Sequence, residues 1–448
     1  MTRALGAAAL VAALAVAVAV RLGWSELLPY YDEIQPLRRA AFRTLLAEGE
    51  TAINPPVYRW LITRPEAPAD RLALGRAVAF VGALFGVLAA SLAARRAAGW
   101  TAAVATALGL AALPDAVRIG AEARAYGLTA AAVAAHLLAV VAPPGRASWA
   151  LLAASAAAIP WLHYSAVPWL GVVGLAVLAS RRDAPTLGAY LAAALTTLPL
   201  VPAVLAGAAE REPPREAALR VAGHVIGLGL DGPLGGARIW PPGTLALVIV
   251  GAALAGGLVG WRRLDGPART LVVAALAWPV SAAVVGTVQL VRPPVYGVAA
   301  HVIVPAVVVL ATRRHAALGL AVGLVLLGLG VPSQELAREG LEVPRRAEAD
   351  AARAVAARLG PEPVRVAPPS RVPVLAFLAA GAVPPWNLDD CAPHPTCAET
   401  PRGAILGVRG PGPGTTLVFG DLPRAPGCEA QAVTREVAWV ICPPAPAP

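Results

Sequence analysis

For about the first three quarters of the chain, uncharged or nearly uncharged runs alternate with short polar breaks. The runs are Ala4–Val20, Leu72–Ala94, Thr101–Leu113, Ala125–Ala142, Trp149–Leu162, Ala166–Ser180, Thr186–Ala209, Gly243–Gly260, Thr270–Leu290, Gly297–Thr312 and Ala316–Val331. Read as membrane spans they number about eleven, several of them short of the roughly 20 residues a bilayer requires. The first run has a basic start and small residues near its end, which also fits a cleaved signal peptide. With so many spans behind it, a signal-anchor is the better reading.

Composition agrees with the pattern. Hydrophobic residues make up 57% of the 448 and charged residues 14%, against roughly a quarter charged in soluble domains. A soluble core of this length has no room for so much apolar surface, so lipid is the expected solvent. The net charge of +10 comes from Arg alone, because the sequence contains no Lys. These arginines are dispersed between hydrophobic runs, which excludes a nucleic-acid footprint. With Arg3 in the cytoplasm, the alternating loops on that side hold Arg95–Arg96, Arg146, Arg181–Arg182, Arg262–Arg263 with Arg269, and Arg313–Arg314. That is the positive-inside pattern. It predicts a multi-pass plasma (inner) membrane protein with a cytoplasmic N-terminus. The outer face receives 21–71, 210–242 and the tail.

The tail, 332–448, is rich in Pro and Gly. Its apolar runs Val372–Leu378, Thr415–Phe419 and Val437–Ile441 read as strands, and Arg345–Leu359 reads as an amphipathic helix. Cys391, Cys397, Cys428 and Cys442 all lie here. An even number outside the cytoplasm points to one or two disulfides with three possible pairings, ahead of a zinc site whose spacings do not fit. The expected fold is an all-α polytopic membrane protein, 1–331, with a small α/β extracytoplasmic domain, 332–448.

Charges beside a membrane are costly and mark candidate sites. The first outer loop carries Tyr30-Tyr31-Asp32-Glu33. A basic amphipathic stretch, Ile34–Glu48, follows; its Arg38, Arg39 and Arg43 suit lipid headgroups. Asn54-Pro55-Pro56-Val57-Tyr58 leads to the second span. Pro114–Leu128 connects the third and fourth and holds Glu122, Arg124 and Tyr126. His163-Tyr164 and Arg292-Pro293-Pro294-Val295-Tyr296 stand in later turns. All five groups fall on the outer face. Each also has a structural reading: Asp32-Glu33 as a solvated helix start, Pro55-Pro56 as a redirecting turn, Arg124 as an interface residue paired with Glu122, His163 as a hydrogen-bonding group. His224 and His301 read as structural.

An acidic pair after the first span, Pro-Pro-x-Tyr before the second, and Glu-Ala-Arg-x-Tyr opening the fourth resemble the GT-C superfamily of membrane glycosyltransferases. The likeness is to its protein O-mannosyltransferase and bacterial aminoarabinose-transferase type, and to the dolichyl-phosphate-mannose-protein-mannosyltransferase-like bacterial family. His163-Tyr164 and the Arg292–Pro305 region are similar to later elements of that pattern. Asn54 replaces its usual His, and His301 stands where an Arg-Tyr pair is common. The resemblance implies transfer of a sugar from a polyprenyl-phosphate donor to a glycan, lipid or protein acceptor at the outer surface, with a divalent metal as an optional helper. An acceptor hydroxyl needs one general base, and the leaving phosphate needs charge stabilisation. On this reading Asp32 is the base and Glu33 its helper or metal contact. Arg124, Tyr126 and Arg292 hold the phosphate, while Tyr58, Glu122, His163, Tyr164 and Tyr296 line the pocket. The rival classes are a transporter or flippase of a lipid-linked glycan, and a non-catalytic scaffold presenting its tail. The first would need ionisable groups at mid-depth, of which the spans are almost free.

Overall fold

The computed structural model describes residues 2–24, 26–29, 31–38, 56–202, 251–288, 297–360, 362–367, 371–382, 398–400, 403–407, 414–419, 428–434 and 437–442. Its contacts divide the chain into two compact units. The first holds Met1–Glu26, Ala41–Trp60 and Gly75–Arg338; the second holds Leu27–Ala40, Leu61–Leu74 and Glu339–Pro448. The second unit thus gathers pieces of the first outer loop together with the tail.

The first unit is helical, and its helices follow the hydrophobic runs. They are α1 (Arg3–Leu22), the short α3 (Pro56–Ile62), most of α4 (Pro68–Ala98), α5 (Trp100–Ala112), α6 (Pro114–Ala121), α7 (Tyr126–Val141), α8 (Arg146–Leu162), α9 (Val167–Arg181) and α10 (Ala184–Thr197). After a helical stretch over 251–259 (α11) come α12 (Gly266–Val288), α13 (Gly297–Arg314) and the first part of α14 (Ala316–Ala356). The short α2 (Tyr31–Ile34) belongs to the second unit. Thr2 caps α1 by accepting from the Leu5 amide, and Asp183 caps α10 by accepting from Thr186.

Small side chains set the packing. At Gly127 an added Cβ would stand 2.1 Å from the Ala79 carbonyl oxygen, so α7 touches the backbone of α4 there. Only glycine permits that approach. The unit also turns large apolar side chains outward, among them Val259 at 92% exposure, Leu175 at 71% and Val81 at 65%. Water is a poor solvent for such a surface, and hydrocarbon is a good one. Among the described residues, three helices are long and apolar enough to cross a membrane: Arg3–Leu22, Pro68–Ala98 and Ala316–Glu339. A fourth candidate is the pair α5 and α6, bent by 70°.

The second unit is an α/β body. Its six-stranded mixed sheet has the order β2-β3-β1-β4-β6-β5, with β1 (Val364–Ala367) parallel to β3 (Gly403–Gly407) and to β4 (Gly414–Phe419). β2 (Ala398–Thr400), β5 (Glu429–Ala432) and β6 (Val437–Cys442) pair antiparallel to their neighbours. Along β6 the side chains alternate. Val437 and Trp439 join Ala351, Val355, Val366, Leu375 and Leu417 in the core, while Val440 and Cys442 lie on the other face with Ala367 and Val418. Cys428 is disulfide-bonded to Cys442 across the β5–β6 pair; Cys391 and Cys397 lie outside the described residues.

One expectation is corrected. Val372–Leu378 forms not a strand but a helix, α15 (Val372–Ala380). Pro373 in its first turn and Gly381 in the left-handed conformation at its end fix the boundaries. Val372 to Ala376 are all buried, and Val372, Leu375 and Ala376 join the core of this unit. α14 runs through Pro332 and is continuous with the expected amphipathic helix. The first half of the connection 114–128 is α6.

Candidate functional site

The site in the first unit begins at a broken helix. Leu113 is extended and Pro114 starts α6 without an amide donor, which ends α5 and turns the chain. The break leaves carbonyls without intrahelical partners. Arg21, fully buried at the end of α1, donates from Nη2 to the Ala116 and Leu110 oxygens at 2.8 and 3.4 Å, and from Nη1 to Ala17 at 3.1 Å. Gln334 Nε2 donates to the Ala112 oxygen at 2.6 Å. Side chains from two distant helices thus hold both sides of the bend.

The bend presents residues 118–126. Arg118 Nε donates to Glu122 Oε1 at 2.7 Å, with the Glu122 side chain almost fully buried. The Arg124 guanidinium lies over the Tyr126 ring, 4.4 Å from its centroid. The Tyr126 ring in turn meets His163, with centroids 5.1 Å apart. His163 caps the end of α8 and is followed by a 3-10 turn over Tyr164–Ala166, where Tyr164 is buried. Burial and the neighbouring Arg124 charge lower the His163 pKa from 6.5 to about 3, so its imidazole is neutral. Tyr58 on α3 is buried and donates to the Gly75 oxygen at 3.1 Å. A Cβ on Gly75 would come within 2.9 Å of Ala123 Cβ, which brings Tyr58 beside the same segment. Glu122, Arg124, Tyr126, His163 and Tyr58, singled out from sequence, therefore assemble in one neighbourhood.

The acidic pair belongs to the second unit, on α2. Glu33 is fully buried, with Oε2 3.8 Å from Arg345 Nη1. Arg345, itself buried, also donates to the Leu28 oxygen at 2.7 Å. Nearby Glu348 pairs with Arg371, and burial raises its pKa despite the cations. Glu33 is thus a buried member of an ion-paired cluster that ties the 27–40 segment to the tail, and α2 packs on α15. Asp32 lies in α2, but its side chain is outside the described atoms. Arg292 and Tyr296 are outside the described residues, as are Asn54, Pro55 and most of Ile34–Glu48. The start of that last stretch forms a 3-10 turn, Gln35–Leu37, with Ile34 and Leu37 buried. Among the described residues no three His, Cys, Asp or Glu side chains cluster as metal ligands.

Two groups have roles that the sequence pattern did not indicate. His136, inside the run assigned to the fourth span, shares hydrogen bonds with Ser155 Oγ at 3.2 Å and Tyr190 OH at 3.0 Å. It also lies edge-on to Trp169. A lone His in an alanine-rich run was its signal. Arg181 donates from Nη2 to the Ala139, Val140 and Ala142 oxygens at 3.1, 2.6 and 2.7 Å, closing the end of α7.

No protein-family model matches the sequence, and no curated protein aligns with it. Solved structures do. ArnT from Cupriavidus metallidurans in the apo state superposes with a TM-score of 0.56 at 15% identity over 98% of each chain. The same protein bound to undecaprenyl phosphate gives 0.53 at 15% identity, over 96% of this chain and 97% of that one. The chain therefore has the fold of ArnT along nearly its whole length.

Proposed function

We propose that this protein is an integral membrane glycosyltransferase that moves a sugar from a polyprenyl-phosphate carrier to an acceptor hydroxyl at the outer face, with inversion. The observation that carries the reading is the cluster of Arg124, Tyr126 and His163 at the broken helix, in a chain with the ArnT fold from end to end. One of those neighbours was solved with undecaprenyl phosphate bound.

The chemistry asks for two things. The leaving phosphate needs a cation that stays charged in a dry site, and a guanidinium held over a ring meets that need. Neutral His163 adds a hydrogen-bonding group without adding charge to the pocket. The acceptor needs a carboxylate base, and Asp32 takes that role. Glu33, occupied with Arg345, holds α2 in place rather than reacting. With about eleven spans and the arginine loops in the cytoplasm, the Cys428–Cys442 disulfide would lie on the oxidising side, where such bonds persist.

The test is purified protein with a panel of polyprenyl-phosphate sugars. Asp32→Asn is expected to abolish transfer, by about 1,000-fold or more, while the variant still inserts and retains the carrier. Full activity in that variant removes Asp32 from the mechanism. No carrier bound or turned over by the wild type would remove the assignment.

A further inference from the structure

A cleft of about 670 Å³ opens in the first unit where residues 251–260, the 3-10 turn Trp261–Arg263, the end of α13 and the start of α14 meet. One wall is apolar, with Leu310, Leu318 and Val322; the floor is Gly256 and Gly257. A Cβ on Gly256 would stand 2.7 Å from Arg314 Nη2, and one on Gly257 would stand 2.8 Å from Leu310. The two glycines therefore let a guanidinium and a leucine lie directly on the helix backbone.

Three arginines reach the cleft: Arg263, Arg313 and Arg314. They are not equivalent. Arg313 pairs with Asp265 and donates to the Ala97 oxygen, so its charge is matched. The side chains of Arg263 and Arg314 are exposed and make no hydrogen bond or ion pair among the described residues. Two guanidiniums unmatched among the described residues thus stand at an apolar trough. A small soluble anion has no use for the trough, and a neutral lipid has no use for the arginines. A phosphate ester carrying an acyl chain uses both, because guanidinium binds phosphate oxygens in pairs and the leucines are good solvent for hydrocarbon.

We propose that this cleft binds one anionic phospholipid, its phosphate held by Arg263 and Arg314 and an acyl chain laid along Leu310, Leu318 and Val322. The site lies on the arginine-loop side, and the lipid comes from the leaflet facing those loops. The inference shares with the glycosyltransferase reading only the membrane setting.

The experiment uses the full chain in uncharged detergent, incubated in turn with phosphatidylglycerol, phosphatidylcholine, undecaprenyl phosphate and inorganic phosphate, and scored by native mass spectrometry. One phosphatidylglycerol should be retained in preference to phosphatidylcholine. Retention should fall about tenfold or more in Arg263→Gln/Arg314→Gln, as expected for losing charge-assisted bonds. Val322→Trp, which fills the trough and keeps both charges, should weaken it as well. Equal retention of the two phospholipids overturns the proposal, as does full retention in the double variant. So does complete displacement by inorganic phosphate, or a preference for undecaprenyl phosphate that the double variant loses. Should a variant fail to fold, photoreactive phosphatidylglycerol on the wild type decides: crosslinks on α13 and α14 support the site, and crosslinks only elsewhere overturn it. Sugar transfer is measured in parallel. Wild type that retains phosphatidylglycerol but transfers no sugar sinks the glycosyltransferase reading alone.

Discussion

The two ends of α7 use arginine in opposite ways. At the Val141 end, Arg181 spends its Nη2 on three backbone carbonyls and closes a helix terminus whose dipole favours a cation. At the Tyr126 end, Arg124 lies over a ring beside a neutral histidine. One end is stapled to backbone; the other presents side chains to one another. Positive charge in this fold thus divides between holding helix ends and equipping the proposed site. Loop arginine counts, which set orientation, do not separate the two uses.

Substitutions at both ends sharpen this. Arg181→Met is expected to cost about 3 kcal/mol of stability through the carbonyls it abandons, read by thermal unfolding in detergent. Transfer per folded molecule should stay unchanged, and a selective loss of transfer would erase the contrast. Arg124→Gln should do the reverse. We expect about 2 kcal/mol of lost donor binding, roughly 30-fold in affinity, with little change in melting temperature. Gly127→Ala forces a methyl against the Ala79 oxygen and should destabilise by about 1.5 kcal/mol; a neutral result would mean that α4 and α7 separate easily.

The smallest effect is pH dependence at His163. Its folded pKa, about 3, lies below its ordinary 6.5, so between these values the unfolded chain binds the extra proton. The stability it contributes is therefore complete above pH 6.5 and drains away as pH falls toward 3. His163→Gln should flatten that part of the stability profile, measured by denaturation at stepped pH. An unchanged slope would assign the acid sensitivity to other groups.

The helices were legible in the sequence because uncharged runs leave few alternatives. Ten of the eleven runs begin within five residues of a described helix start or lie against one, whereas the number of crossings does not follow, since several helices are short. The neighbourhood of Tyr58, Glu122, Arg124, Tyr126 and His163 was legible from motif order. What stayed hidden was long-range. Nothing near Arg21 announces that it will serve carbonyls on α5 and α6, and nothing near Glu33 announces Arg345. Val372–Leu378 misled because its valines favour strands and its unbroken burial over Val372–Ala376 leaves no helical period to read.

The bond from Arg345 to the Leu28 carbonyl joins residues 317 positions apart. Ribosomes deliver the first partner early and the second only near the finish. The 27–38 stretch must therefore wait through most of synthesis before Arg345 exists, and a chain cut short after the last span would lack both the guanidinium beside Glu33 and the donor to the Leu28 carbonyl.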